Sequence, residues 1–163
     1  MIPEKIYVDS SAFYALLDRA DTYHQPARTA WPALLQDDVA MVTTNYVVSE
    51  TMTVLQFRIG FEAADLWRRD ILGVLDMYWV DKVLHRQACD LWMNLGRRRY
   101  SLVDCVSFVA MRQNRIEKAF AFKTTYLAQG VELFPAVSVG TEAEEGTGVT
   151  TTGIFLPRGP VVP

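Results

Sequence analysis

"KIYVDSSAFYALLD", residues 5–18, decides how the rest of the chain is read. Lys5-Ile6-Tyr7-Val8 opens like a central strand, predicted over 5–9. Ser10 and Ser11 suit a helix start, and Phe13, Leu16 and Leu17 form the apolar stripe of a helix predicted over 11–20. Asp9 stands at the junction, where the local pattern calls for an apolar residue. A carboxylate there either accepts N–H bonds from the helix start or faces a cation.

Outward from this stretch, strand and helix signals alternate. A helix over 24–36 carries Pro26 in its opening turn, and "VAMVTT" (39–44) reads as a strand. Helices follow over 45–60, closed by Gly60, and over 61–77, then a short strand over 78–81. Residues 83–96 form a helix ending at Gly96, and 101–114 a helix opened by Ser101. "AFAF" (119–122) and "VELF" (131–134) are short strands. Strands separated by helices of this length imply βαβ units: an α/β fold with a mostly parallel sheet of four or five strands and helices on both faces. In such sheets the reactive crevice lies at the carboxyl ends of the strands, which is where Asp9 falls. One domain is expected over 1–135. From Ala136 the composition turns to Gly, Thr, Glu, Pro and Val, so 136–163 reads as an extended tail, with Ile154-Phe155-Leu156 a candidate edge strand.

The bulk numbers fit a globular domain. The chain has 163 residues, 50% of them hydrophobic and only 21% charged, enough to bury a real core. No apolar run approaches the ~20 residues of a membrane helix. The first five residues lack the basic-then-apolar pattern of a signal peptide. Cys89 and Cys105 lack metal-ligand spacing and read as small buried hydrophobes, which together with the N-terminus suggests a cytoplasmic protein. The formal charge is −3, and without Glu142, Glu144, Glu145 and Arg158 of the tail it is −1. Contact with nucleic acid would therefore depend on local clusters: Arg97-Arg98-Arg99, Arg68-Arg69, and the Lys82/His85/Arg86 group.

Three acids stand where their neighbours are apolar: Asp9, Glu50 and Asp104. Glu50 has Tyr46, Val47 and Val54 at helical spacing, and Asp104 is flanked by Leu102, Val103, Val106 and Phe108. Each has a plain structural alternative. Asp9 would cap a helix, Asp104 stands three residues after Ser101 as in a capping box, and Glu50 would be a half-exposed helix residue. Burying three anions together requires a cation, and a hard divalent ion, Mg²⁺ or Mn²⁺, suits oxygen ligands. With His24 and His85 as the only histidines, no serine–histidine or cysteine–histidine set is arguable, and a glycine-rich phosphate loop is missing.

Four stretches together resemble the PIN-domain ribonucleases, and among them the VapC-type toxins of toxin–antitoxin pairs: "YVDSSAFYALLD" (7–18), "TTNYVVSETMTVL" (43–55), "YSLVDCVSFVAM" (100–111) and "KAFAFKTTYLAQGVELF" (118–134). The resemblance implies a PIN-like fold and a divalent-metal-dependent endoribonuclease that is the toxin of a type II pair. Asp9, Glu50 and Asp104 would be its catalytic residues and ligands of Mg²⁺ or Mn²⁺. Ser11 or Ser107, both near helix starts, either holds a ligand or a water or, as is commoner for such hydroxyls, caps its helix. It also implies an RNA substrate, a cognate antitoxin and a homodimer, with Leu66, Trp67 and Leu72 as apolar partner surface where they are not core, and no membrane association. One position departs from the pattern. Where the family has a fourth acid after "AFAF", this chain has Lys123, followed by Thr125 and Tyr126. Lys123 either sits in the pocket as a cation, swings to solvent and leaves a weakened metal site, or marks a catalytically silent PIN-fold binding module.

Overall fold

In the computed structural model, which describes residues 3–36, 38–136 and 138, the elements run β1 (Glu4–Val8), α1 (Ser10–Leu17), α2 (His24–Leu34), β2 (Val39–Thr44), α3 (Asn45–Arg58) and α4 (Phe61–Asp70). A 3₁₀ turn (Leu72–Val74) leads to β3 (Asp76–Tyr78), then α5 (Lys82–Leu95), α6 (Leu102–Gln113), β4 (Lys118–Phe120), α7 (Thr124–Leu127) and β5 (Glu132–Phe134). The five strands pair in the order β3-β2-β1-β4-β5, all parallel. Tyr7 and Val8 are neighbours on β1, so they point to opposite faces, and both are fully buried. The sheet is therefore covered on both sides, as parallel sheets are.

The chain moves outward from β1 through β2 to β3, then returns to the other side of β1 for β4 and β5. The boundary between β1 and β4 is thus a switch point, where the connections part and leave a crevice beyond the strand ends. Two residues stand there. Asp9 follows β1, its N–H donating to Phe120 O at 3.1 Å, and Lys123 follows β4 by three residues.

The strand–helix alternation and the five-stranded parallel sheet are as the sequence implies, but two details differ. The helix expected over 61–77 stops at Asp70, and the strand expected over 78–81 is paired over 76–78 instead. Gly73, costing about 1 kcal/mol in a helix interior, falls in the stretch that turns away. Asp76 and Tyr78 then pair with Val42 and Thr44. The second difference is α7, a four-residue helix with no counterpart in the sequence reading. The tail expected over 136–163, with its candidate strand at 154–156, lies outside the described residues apart from 136 and 138.

Core and surface also sort the candidate partner residues. Trp67 is fully buried, its ring 5.0 Å from that of Phe13 in a T-shaped contact, so it belongs to the core. Leu66 is 41% exposed and Leu72 is half-buried, while Phe57, Ile59 and Phe61 at the α3–α4 corner are exposed. Both cysteines are free thiols; Cys105 is buried, which pushes its thiol up to about 11, and Cys89 is half-buried. No described helix is long and apolar enough to cross a membrane.

Candidate active site

Asp9 is the N-cap of α1. Its Oδ2 accepts from Ser11 N at 3.0 Å and from Ser11 Oγ at 2.6 Å. The same Ser11 Oγ accepts from Phe122 N at 3.1 Å, so one hydroxyl fixes both the carboxylate and the chain leaving β4. Oδ1 accepts from Tyr126 Oη at 2.8 Å, a residue delivered by α7 and packed against Phe108. Asp9 has no exposed surface.

Asp104 enters from α6. Ser101 Oγ accepts from Asp104 N, and Asp104 Oδ2 accepts from Ser101 N at 2.9 Å, which makes a capping box. Oδ1 is thereby turned toward the crevice, where it meets Lys123 Nζ at 3.0 Å. The ammonium also lies 3.5 Å from Asp9 Oδ2. Glu50, half-buried on α3, accepts from Ser10 Oγ at 2.5 Å. Beneath the acids, Tyr7 Oη donates to Ser107 Oγ at 2.8 Å and is 3.2 Å from Thr44 Oγ1, while Ser107 Oγ donates to Val103 O. These bonds tie β1, β2 and α6 together under the pocket.

The charges of the three acids and Lys123 act on one another. Burial works to raise the Asp9 pKa, yet the Lys123 ammonium, the Ser11 bonds and Tyr126 hold it below the usual carboxylate value. Burial pushes the Glu50 carboxyl up; Asp9 and Asp104 add to the rise, while Lys123 and Ser10 oppose it. For Lys123, burial works against the charged form, but Asp9, Asp104 and Glu50 outweigh it and keep the ammonium protonated. Asp9 and Asp104 therefore face one ammonium, and Glu50 is joined through Ser10 to the same helix start that Asp9 caps.

These shifts fix a pH signature. Glu50 binds its proton more tightly folded than unfolded, so its contribution to stability grows as pH falls through the folded value toward the usual ~4.3. Asp9 is the reverse: its contribution is complete above the usual ~3.9 and is lost as pH falls through its lower folded value. Urea midpoints measured across pH should rise on mild acidification before they fall, and Glu50→Gln should remove the rise. A rise that persists in Glu50→Gln would assign it to other groups.

Between Asp9 and Asp104 the residues fit an ammonium, because that is what fills the space. Among the described residues no group of three or more His, Cys, Asp or Glu side chains is arranged to hold a metal ion. The donor chemistry, three carboxylates, is that of a Mg²⁺ or Mn²⁺ site, but in this structure the cation facing Asp9 and Asp104 is the Lys123 ammonium. Of the three outcomes open for Lys123, the structure has it in the pocket.

Other features lie beside Glu50 or near the start of α6. Asn45, Tyr46, Ser49, Glu50, Thr53 and Val103 line a groove of about 480 Å³. Arg97, Arg98 and Arg99 are exposed just ahead of Ser101. The four-residue spacing on α5 puts His85 Nε2 3.6 Å from Cys89 Sγ, a pair that the sequence reading set aside. His85 Nδ1 is 2.7 Å from Tyr46 Oη, which turns the imidazole toward the groove wall.

The PIN domain model matches residues 6–124, which contain all three acids and Lys123. The chain belongs to the PIN domain family. Among PIN proteins it is 34% identical over 132 residues to the 23S rRNA-specific endonuclease VapC20 of Mycobacterium tuberculosis, in strains CDC 1551 / Oshkosh and ATCC 25618 / H37Rv, a match covering 80% of this chain and 98% of VapC20. The crystal structure of M. tuberculosis VapC20, described as a Sarcin-Ricin loop cleaving toxin, superposes with a TM-score of 0.70 at 32% identity, covering 77% of this chain and 95% of that one. FitAcB from Neisseria gonorrhoeae shares the fold, with a TM-score of 0.58 at 14% identity over 79% of this chain and 96% of that one.

Sequence reasoning singled out Asp9, Glu50 and Asp104 because each interrupts an apolar pattern, and joined them as one site through the PIN resemblance. It missed Ser10 and Tyr126 as partners of Glu50 and Asp9. A serine at a helix start and a tyrosine in a short apolar stretch look the same whether or not a carboxylate is nearby. Of the two serines considered as holders of a ligand, Ser11 donates to Asp9, while Ser107 joins Tyr7 and the α6 backbone.

Proposed function

We propose that this PIN protein is an endoribonuclease toxin of a type II toxin–antitoxin pair, with Asp9, Glu50 and Asp104 as its catalytic residues. The observation that carries the reading is Asp9 and Asp104 facing one ammonium beyond the strand ends, with Glu50 of α3 bonded to Ser10 beside Asp9. The likeness to VapC20 along nearly its whole length supports the substrate class.

Glu50 is suited to hold and orient the attacking water and to take its proton, since a carboxyl raised by burial is a better base near neutral pH than an ordinary one. Asp9 and Asp104, anchored by Ser11, Tyr126 and Ser101, present fixed anionic oxygens to a cation that neutralises the phosphate. Metal dependence is part of the proposal: Mg²⁺ or Mn²⁺ on Asp9, Glu50 and Asp104 would supply a more acidic water and charge neutralisation. Arg97–Arg99 and the Tyr46 groove provide cationic and aromatic surface for an unpaired RNA strand. A cognate antitoxin and a homodimer complete the proposal, with Phe57, Ile59, Phe61 and Leu66 as exposed apolar surface for them.

The test is cleavage of single-stranded RNA and of ribosomal RNA by the purified protein with Mg²⁺ or Mn²⁺, its arrest by a chelator, and 5′-phosphate and 3′-hydroxyl ends on the products. Lys123, seated on two of the acids, favours a second reading, a silent binding module. Intact partner binding with no cleavage of any RNA at any divalent ion would replace the first reading with the second.

A further inference from the structure

Every carboxylate oxygen of Asp9 and Asp104 already has a partner. Asp9 Oδ1 takes Tyr126 Oη, and Oδ2 takes Ser11 N and Ser11 Oγ, with Lys123 Nζ at 3.5 Å. Asp104 Oδ2 takes Ser101 N, and Oδ1 takes Lys123 at 3.0 Å. A hard divalent ion binds carboxylate oxygens at roughly 2.0–2.6 Å. One shared by Asp9 Oδ2 and Asp104 Oδ1 would face the same two oxygens as Lys123 Nζ. Two cations side by side in a half-buried pocket would also repel strongly.

Withdrawing Lys123 would break its ion pairs with Asp9 and Asp104 but no bond that holds α7. The Lys123 side chain is 30% exposed, the stem is flexible, and it precedes α7 without making any side-chain cap bond. We infer that the Lys123 ammonium and a divalent ion compete for the single place between Asp9 and Asp104, and that an ion loads there only by displacing the lysine. This deepens the reading of the two acids as metal ligands. The consequence is a pocket held together without metal, in which ion affinity is set by how firmly Lys123 is seated.

The experiment measures Mn²⁺ binding to the full chain without RNA, by the electron paramagnetic resonance signal of free ion, in the natural protein, Lys123→Met and Lys123→Met/Asp104→Asn. Lys123→Met keeps the stem and removes the charge. It should bind Mn²⁺ at least about tenfold more tightly, a gap of about 1.4 kcal/mol, and the gain should vanish in the double variant. Mn²⁺ should also raise the melting temperature of Lys123→Met more than that of the natural protein. Equal or weaker binding by Lys123→Met, or a gain that survives Asp104→Asn, would overturn the inference. If Lys123→Met folds only with Mn²⁺, the ion has replaced the ammonium and the inference stands. If it fails to fold at all, Lys123→Gln takes its place under the same criteria. Because no RNA is present, absence of nuclease activity would reject the proposed function without touching this result.

Discussion

Asp9→Asn should lower RNA cleavage by about 10³-fold while the protein stays folded. Asparagine is as good an N-cap as aspartate, so its carbonyl oxygen still accepts from Ser11 N and Ser11 Oγ. Its NH₂ then faces Tyr126, whose hydroxyl turns from donor to acceptor. What is lost is the negative charge at the end of β1. Lys123 keeps Asp104 as its partner, so no buried cation is stranded, and the stability cost should be about 1 kcal/mol. Catalysis has no such substitute. A cation held over a phosphate contributes several kcal/mol to the transition state, and losing about 4 kcal/mol of it corresponds to the thousandfold drop. The check is the cleavage rate of one RNA by natural and variant protein, with circular dichroism showing that both are folded. Cleavage within tenfold of the natural rate would remove Asp9 from the catalytic set.

Single residues explain how much of this was visible in the sequence. The apolar pattern drew attention to Asp9, Glu50 and Asp104 but left a capping or surface role open for each. The structure does use Asp9 and Asp104 as caps, and only the PIN resemblance joined the three. The order of strands and helices was legible from periodicity. β3 was displaced by two residues because three-residue strands carry too little alternation to fix a register; its place is decided by pairing with Val42 and Thr44 on β2. α7 escaped notice because "TTYL" has one turn and no cap signal, although it delivers Tyr126 to Asp9. The seat of Lys123 lay beyond local pattern altogether. It depends on β4 lying beside β1, which brings residue 123 to residue 9, and on the Ser101 capping box, which aims Asp104.

Trp67→Ala should destabilise the protein by roughly 3–5 kcal/mol, the range for removing a large aromatic from a core that cannot collapse around the gap. Trp67 is fully buried, and its edge-to-face partner Phe13 lies on α1, four residues from the Asp9 cap. Trp67→Phe should cost far less. Trp67 Nε1 is buried without a hydrogen-bond partner among the described residues, so removing it relieves an unmatched donor worth about 1–3 kcal/mol, which offsets much of the lost packing. Urea unfolding of the two variants separates the terms, because they differ in how much packing survives but both lack the indole N–H. A loss below about 1 kcal/mol for Trp67→Ala would mean that the α1–α4 contact is not a strong support of the fold. Phe13 and the Asp9 cap share one short helix, so a variant that loosens α4 should also blur the position of the carboxylate. Trp67→Ala should therefore lose cleavage activity at temperatures below its melting point, whereas Trp67→Phe should keep it.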